Sequence, residues 1–182
     1  MFVQRMSPLQ CWLNSDRLKI GIGMSKIEKH LAKMGVVLPA PLVLPSKNRT
    51  SAVQSGNLLY VSGHGAALLD DSGIVKRGKV GLEVSEEEAY KTARACAIKM
   101  LATVKHHIGD LDRVTRIVQI HGLINAHPDF ERHNMVLNGA SDFFYEVFGA
   151  EVGCHSRFSM GVSGLVARQP LEIDGIFEIS AG

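Results

Sequence analysis

The run SEEEAYKTARACAIKMLATVKHHIGDLDRVTRIVQIHGLI, residues 85–124, carries a complete helix, its stop and the strand that follows. Ser85-Glu86-Glu87-Glu88 is a capping box: the Ser85 hydroxyl can accept the Glu88 amide, and the acids complement the positive end of the helix. Ala89, Ala93, Cys96, Met100, Val104 and Ile108 then recur every three or four residues, which makes one stripe to bury. Gly109 ends the helix, with Lys105, His106 and His107 in the last turn where positive charge is favoured. Leu111-Asp112 leads into a long strand predicted over 114–124.

Working outward, the spacing of Val136, Ala140, Phe143, Phe144 and Val147 predicts a second helix over 132–148 that stops at Gly149. Two closing strands are expected over 157–165 and 171–179, around a turn at 166–170. Upstream, LLYVSG (58–63) reads as a buried strand entered through the turn Gly56-Asn57, followed by a polar hairpin region from Asp70 to Gly81. Pro39, Pro41 and Pro45 impose an extended linker. Before it, Ile27, Leu31 and Met34 mark a short helix capped by Ser25 and stopped by Gly35. The order after the linker is strand, strand, helix, strand, helix, strand, strand. That predicts a single α+β domain, a mixed sheet with both long helices on one face. The other face is left uncovered, so self-association is expected.

Composition narrows the class. The 182 residues are 46% hydrophobic and 21% charged, ordinary for one compact domain. No run of 18 apolar residues exists, so no membrane-spanning helix is expected. Cys11, Cys96 and Cys154 are odd in number and far apart, which suits a reducing, cytoplasmic setting better than a disulfide framework. Residues 1–23 hold Arg5, Arg17 and Lys19 against Asp16, leaving 17 basic and 17 acidic residues elsewhere. A neutral body argues against nucleic acid as a partner. Residues 1–23 read as an N-terminal extension, disordered or not native, ahead of a domain over 24–182 whose helix and Pro-rich linker occupy 24–50. Their acid-poor composition also suits a weak mitochondrial import segment.

Candidate chemistry gathers near the C-terminus. Strand alternation puts Arg157, Ser159, Gly161 and Ser163 on one face and Phe158, Met160 and Val162 on the other. An arginine among very small residues has space for a ligand, and its guanidinium fork suits a small carboxylate. The alternative is an arginine reaching solvent or pairing with an acid of a neighbouring subunit. Glu172 and Asp174 share a face, either as a solvated strand surface or with one carboxylate orienting a water beside Arg157. His106, His107, His121, His127, His133 and His155 form no ligand cluster, so no metal is expected. Ser62-Gly63-His64-Gly65 reads as a bulge or tight corner, and Cys96 as core.

Taken together, SGNLLYVSG (55–63), GDLDRV (109–114), NGASD (138–142), HSRFSMGV (155–162) and LEID (171–174) resemble the RidA/YjgF family, often labelled endoribonuclease L-PSP. VKRGKVG (75–81) and NGASD are closer to a less-studied branch than to the archetypal deaminases. The resemblance covers about residues 51–179. It implies a chorismate-mutase-like fold, a homotrimer with ligand clefts between subunits, and no cofactor. It also implies hydrolysis of enamine/imine acids such as 2-aminoacrylate to a 2-oxo acid and ammonia, the work of a 2-iminobutanoate/2-iminopropanoate deaminase-like hydrolase. By resemblance, Arg157 grips the substrate carboxylate and Glu172 positions the attacking water. Asn138 is the cleft asparagine, Ser62-Gly63 the cleft wall, and Ser159 stands where many members have cysteine. Arg49 stands in place of the usual cleft tyrosine and would add a second cation to the substrate-binding set. His64 replaces a glutamine and Val166 a proline. The competing readings are a non-catalytic trimer that binds small carboxylates and, less favoured by the neutral body, a ribonuclease or translation inhibitor.

Overall fold

The computed structural model describes residues 25–44, 47–66 and 76–181. Residues 1–23, Pro45 and the 70–75 portion of the expected hairpin lie outside them. The chain forms α1 (Lys26–Lys33), β1 (Ala52–Ser55), β2 (Leu58–His64), α2 (Glu86–Ile108), β3 (Val114–Asn125), α3 (His133–Gly153), β4 (Ser156–Val162) and β5 (Leu171–Ile179). The five strands make one mixed sheet in the order β1-β2-β5-β3-β4, with only the β3–β4 pair parallel. This is the expected α+β architecture, with the helices on one face.

The helices form where local chemistry dictates. At the start of α2, Ser85 N–H donates to Glu88 Oε2 (2.8 Å) and Glu88 N–H to Ser85 Oγ (3.2 Å), the reciprocal capping box. Gly109 closes the helix with φ 82°. The predicted stripe is buried, joined by Thr92, Ala97, Leu101, Ala102 and Thr103, because α2 packs against both the sheet, over β2 and β5, and its neighbour α3, which covers β3 and β4. Gly139 lets α3 approach closely: a Cβ there would overlap the Tyr90 carbonyl of α2. The end of α1 is held by Asp112, whose two carboxylate oxygens accept Lys26 N–H and Ile27 N–H, both at 2.9 Å.

The core sits between the sheet and α2/α3. Phe143, Phe144, Phe177, Met100, Leu101 and Ile120 are all fully buried, and truncating any such phenylalanine to alanine costs about 3–5 kcal/mol. The Cys96 thiol lies in this core, and burial pushes its pKa to about 12. Along β5, Leu171, Ile173, Gly175, Phe177 and Ile179 face inward, while Glu172, Asp174, Ile176 and Glu178 face away. The outward face also carries Val53, Tyr60, Phe158 and Met160, all exposed. No helix among the described residues is long and apolar enough to cross a membrane.

Four local expectations need correction. The turn Gly56-Asn57 joins two strands, so the first strand pair is β1–β2, and around residues 76–85 the described pairing is limited to bridges at Val80. β2 is not buried throughout: Leu59, Val61 and His64 point inward, but Tyr60 is exposed. β4 ends at Val162 rather than 165. Lys79 Nζ donates to Ser163 O (2.8 Å), Arg77 Nη1 to Ala167 O (2.6 Å) and Gly78 N–H to Arg168 O (2.9 Å), drawing the segment into a turn. Ala167 and Arg168 take left-handed φ values of 54° and 56° there, a strained conformation that these contacts hold. Finally, α3 continues past Phe148: Gly149 breaks it with φ 75°, and a further turn runs to Gly153.

Candidate functional site

Arg157 is the centre of the first cluster. On β4 it faces α3, and its guanidinium crosses to that helix. Nη1 donates to Ser141 Oγ (2.7 Å), while Nη2 donates to Asn138 Oδ1 (2.6 Å) and, at 3.4 Å, to Asn134 O. All three acceptors are neutral. Among the described residues no carboxylate pairs with Arg157, although salt bridges engage Arg94, Arg132 and Arg168 elsewhere. A guanidinium has five N–H donors, so two remain for a ligand. Asn138, Ser141, Asp142, Tyr145, His155 and Arg157 line an open cleft of about 300 Å³. The Asp142 carboxylate lines the same cleft but makes no ion pair with Arg157, accepting instead the Tyr90 hydroxyl at 2.9 Å. Ser159 follows two residues on along β4, half-buried like Arg157.

The small residues around Arg157 have packing causes. Gly161 lies under the His133 ring, which a Cβ would strike. The expected open floor beside the guanidinium is therefore occupied on the Gly161 side by His133, and the open cleft lies toward Ser141 and His155.

Glu172 belongs to a second cluster. Its carboxylate lies directly over Gly63, where a side chain would overlap Oε1. It lines a cavity of about 460 Å³ with Gly63, His64, Gly65, Lys99, Val166 and Gln169, walled by residues 40–44. Gly63 sits where the β2–β5 register slips between Val61 and His64, the bulge that the glycine-rich run predicted. Ser62 fastens this corner by donating to Thr50 O at 2.8 Å. His64 is buried and bridges Ser62 O (2.6 Å) to Thr103 Oγ1 (2.8 Å), which also accepts Leu42 N–H (3.1 Å). Burial holds its imidazole below the ordinary pKa. Asp174 does not share this cavity, being paired with His121 at 2.8 Å beside the exposed Phe158 ring.

The structure thus brings Arg157 to Asn138, and Glu172 to Gly63, with Ser159 and Ser62 adjoining along their strands but lining neither cavity, and does not bring the two sets together in one chain. A Glu172 water beside Arg157 is therefore not assembled within one chain. β3 lies between their strands: Glu172 pairs with Leu123, and Leu123 with Met160. That is two strand spacings, about 10 Å, with Arg157 a further three residues along and on the opposite face. Arg49 is exposed and lines neither cavity.

Two participants went unread in the sequence. Ser141 lies three residues after Asn138, on the same side of α3. His155 precedes Arg157 by two, the parity of one strand face. Ser141 Oγ contacts His155 Nε2 at 3.0 Å, and His155 Nδ1 contacts Gly153 O at 2.6 Å. Among the described residues no group of three or more His, Cys, Asp or Glu side chains could hold a metal ion.

Sequence comparison matches residues 28–168 to the family described as "YjgF/chorismate_mutase-like, putative endoribonuclease". Protein TCP17 of Trypanosoma cruzi is 35% identical over 159 residues, 87% of this chain and 98% of that protein. Among solved structures, the protein Atu1372 of Agrobacterium tumefaciens, of unknown function, is 35% identical over 85% of this chain and 92% of its own, with a TM-score of 0.73. A "putative endoribonuclease" of Shewanella oneidensis is 27% identical over 84% of this chain and 99% of its own, with a TM-score of 0.76.

Proposed function

The chain belongs to the RidA/YjgF family, and from that membership we propose that it hydrolyses enamine/imine acids of the 2-aminoacrylate type to 2-oxo acids and ammonia. The observation that carries this reading is the guanidinium of Arg157: fixed in place by three neutral acceptors, unneutralised, and open to a cleft. Such a group is pre-organised for a carboxylate, and holding it costs the ligand no further ordering of the arginine.

The chemistry needs no strong nucleophile. The enamine tautomerises to an imine, whose carbon is already electrophilic. Arg157 anchors the substrate carboxylate, with Asn138 orienting the guanidinium and Ser159 forming the adjacent floor. Glu172 accepts a proton from water as the oxygen adds to C2 and returns it to the nitrogen, giving the carbinolamine. The carbinolamine then collapses: its hydroxyl proton passes to the nitrogen, which leaves as ammonia, and the carbon becomes the 2-oxo group. Fixing reactants in this way supplies much of the acceleration.

In the homotrimer that family membership implies, the working cleft would form between subunits, the Arg157 half of one copy meeting the Ser62-Gly63-Glu172 half of the next; the separation of Arg157 and Glu172 on opposite faces of one sheet supports this reading. The exposed Val53, Tyr60, Phe158 and Met160 support burial of the open sheet face in that assembly. Arg49 would then serve as a second cation at the rim.

The test generates 2-aminoacrylate in situ and follows pyruvate formation. Wild type should accelerate it; Arg157→Ala and Glu172→Gln should each abolish the acceleration without unfolding the chain. Co-refolding the two inactive variants should restore part of the activity, since some mixed interfaces recover one intact cleft. Absence of restoration would sink the shared cleft, and unchanged activity in Arg157→Ala would sink the assignment. Saturable, Arg157-dependent pyruvate binding with no turnover would establish the binding role instead.

A further inference from the structure

Behind Arg157 runs a chain of hydrogen bonds whose direction is set by its ends. Gly153 O can only accept, so the His155 nitrogen facing it at 2.6 Å, Nδ1, carries the hydrogen. In the neutral ring Nε2 is then an acceptor. Arg157 Nη1 can only donate, and it occupies a lone pair of Ser141 Oγ at 2.7 Å. The one hydroxyl proton of Ser141 therefore points at His155 Nε2, 3.0 Å away, and is turned from the cleft.

We propose that a small carboxylate entering the Arg157 cleft is taken up together with one proton, which stays on His155 and frees the Ser141 hydroxyl to donate a hydrogen bond to the ligand. The proton comes from solvent and forms an N–H bond at His155 Nε2. That N–H now donates to Ser141 Oγ, which releases the Ser141 hydroxyl hydrogen to turn into the cleft and donate to the ligand. Nothing is oxidised or displaced; the site gains one positive charge and one donor. His155 acts as a positioning residue for the carboxylate anchor.

Electrostatics favour this coupling. In the empty cleft, burial opposes the imidazolium and so does the Arg157 charge, while the Gly153 carbonyl works the other way; the balance holds His155 below its ordinary pKa. A bound carboxylate neutralises Arg157 and removes that opposition. The other ionisable groups around the ring do not supply the charge. From α3, the Asp142 carboxylate and the Tyr145 hydroxyl line the cleft, and Cys154 stands beside His155 in its own loop, but burial, the Gly153 carbonyl and Arg157 are what set its balance. The Phe144 ring meets the imidazole edge-on, 6.0 Å between centroids, and closes its remaining side. By reciprocity, a ligand that raises the proton affinity of His155 binds more tightly as pH falls.

The inference rests on Arg157 being the carboxylate anchor, and the test separates the two. Pyruvate, a 2-oxo acid with no imine to hydrolyse, is titrated calorimetrically into the wild-type protein from pH 8 to pH 6, in buffers of different ionisation enthalpy. The expected result is a heat that depends on the buffer, reporting proton uptake. Affinity should rise severalfold toward pH 6, bounded at about tenfold per pH unit for one proton. His155→Gln should bind more weakly with nearly pH-independent affinity, and Ser141→Ala should flatten most of the dependence. In wild type, the imidazole identified by its proximity to Phe144 should titrate at higher pH with pyruvate bound, an NMR readout that needs no variant. Tight binding with buffer-independent heat, or pH dependence undiminished in His155→Gln, overturns the coupling alone. No pyruvate binding at any pH overturns the anchor itself, and the coupling with it.

Discussion

Gly63 and Glu172 are a matched pair: the carboxylate of Glu172 occupies the volume that any side chain at position 63 would need. Gly63 lies outside the left-handed region, so its use is spatial rather than conformational. The absence of a Cβ lets the carboxylate lie against the bulge of β2, where it faces the cavity walled by residues 40–44.

Gly63→Ala should therefore separate activity from stability. The backbone accepts alanine, and the atom it strikes is the tip of a flexible side chain, so the thermal midpoint should move little. The displaced carboxylate should cost about 100-fold in 2-aminoacrylate hydrolysis, the low end of the range for losing a positioned base. Full activity in a folded Gly63→Ala would remove Glu172 from the proposed chemistry.

Gly139→Ala should do the reverse and damage the fold first. Its Cβ would overlap the Tyr90 carbonyl, a backbone atom that moves only if α2 and α3 separate. Alanine's better helix propensity, about 1 kcal/mol, is outweighed. The net loss should be about 1–3 kcal/mol, a Tm lower by roughly 4–10 °C. Gly164→Ala meets nothing within 4 Å and should stay within about 0.5 kcal/mol. Equal midpoints for the two variants would contradict the close helix contact.

Stability should fall on mild acidification, with His64 a contributor. Burial depresses its folded-state pKa below the ordinary 6.5. Above 6.5 the ring is neutral in both folded and unfolded chains, and the contribution is fully present. As pH falls from 6.5 through the lower folded value, the unfolded chain binds the proton first, and stability is lost. His155 and His107 are depressed in the same direction. Urea midpoints at pH 7.5 and pH 5 should differ, and His64→Gln should reduce the difference. A flat profile for wild type would mean that these imidazoles titrate equally in both states.

Local order was legible wherever a short stretch carried both pattern and punctuation. The stripe from Ala89 to Ile108 between Ser85 and Gly109 predicted α2 within a residue, and the alternation of Leu171, Glu172, Ile173 and Asp174 predicted β5. The strand Ala52–Ser55 was missed because four residues offer little period to read. The end of β4 was misplaced because contacts made by Arg77, Gly78 and Lys79, distant in sequence, draw its last residues off the sheet.

The sequence by itself determined which residues share a face, because period-2 and period-3.6 geometry are local properties of the backbone. Arg157 with Ser159, and Glu172 with Asp174, followed from that alone. Only the tertiary structure decided which face meets what. It set Arg157 against α3 and Glu172 over Gly63, with β3 between them. It sent Asp174 to His121 and tied His155 to Arg157 through Ser141. Strand order and helix docking join residues separated by tens of positions, and side-chain patterns carry no record of which neighbour a face will find.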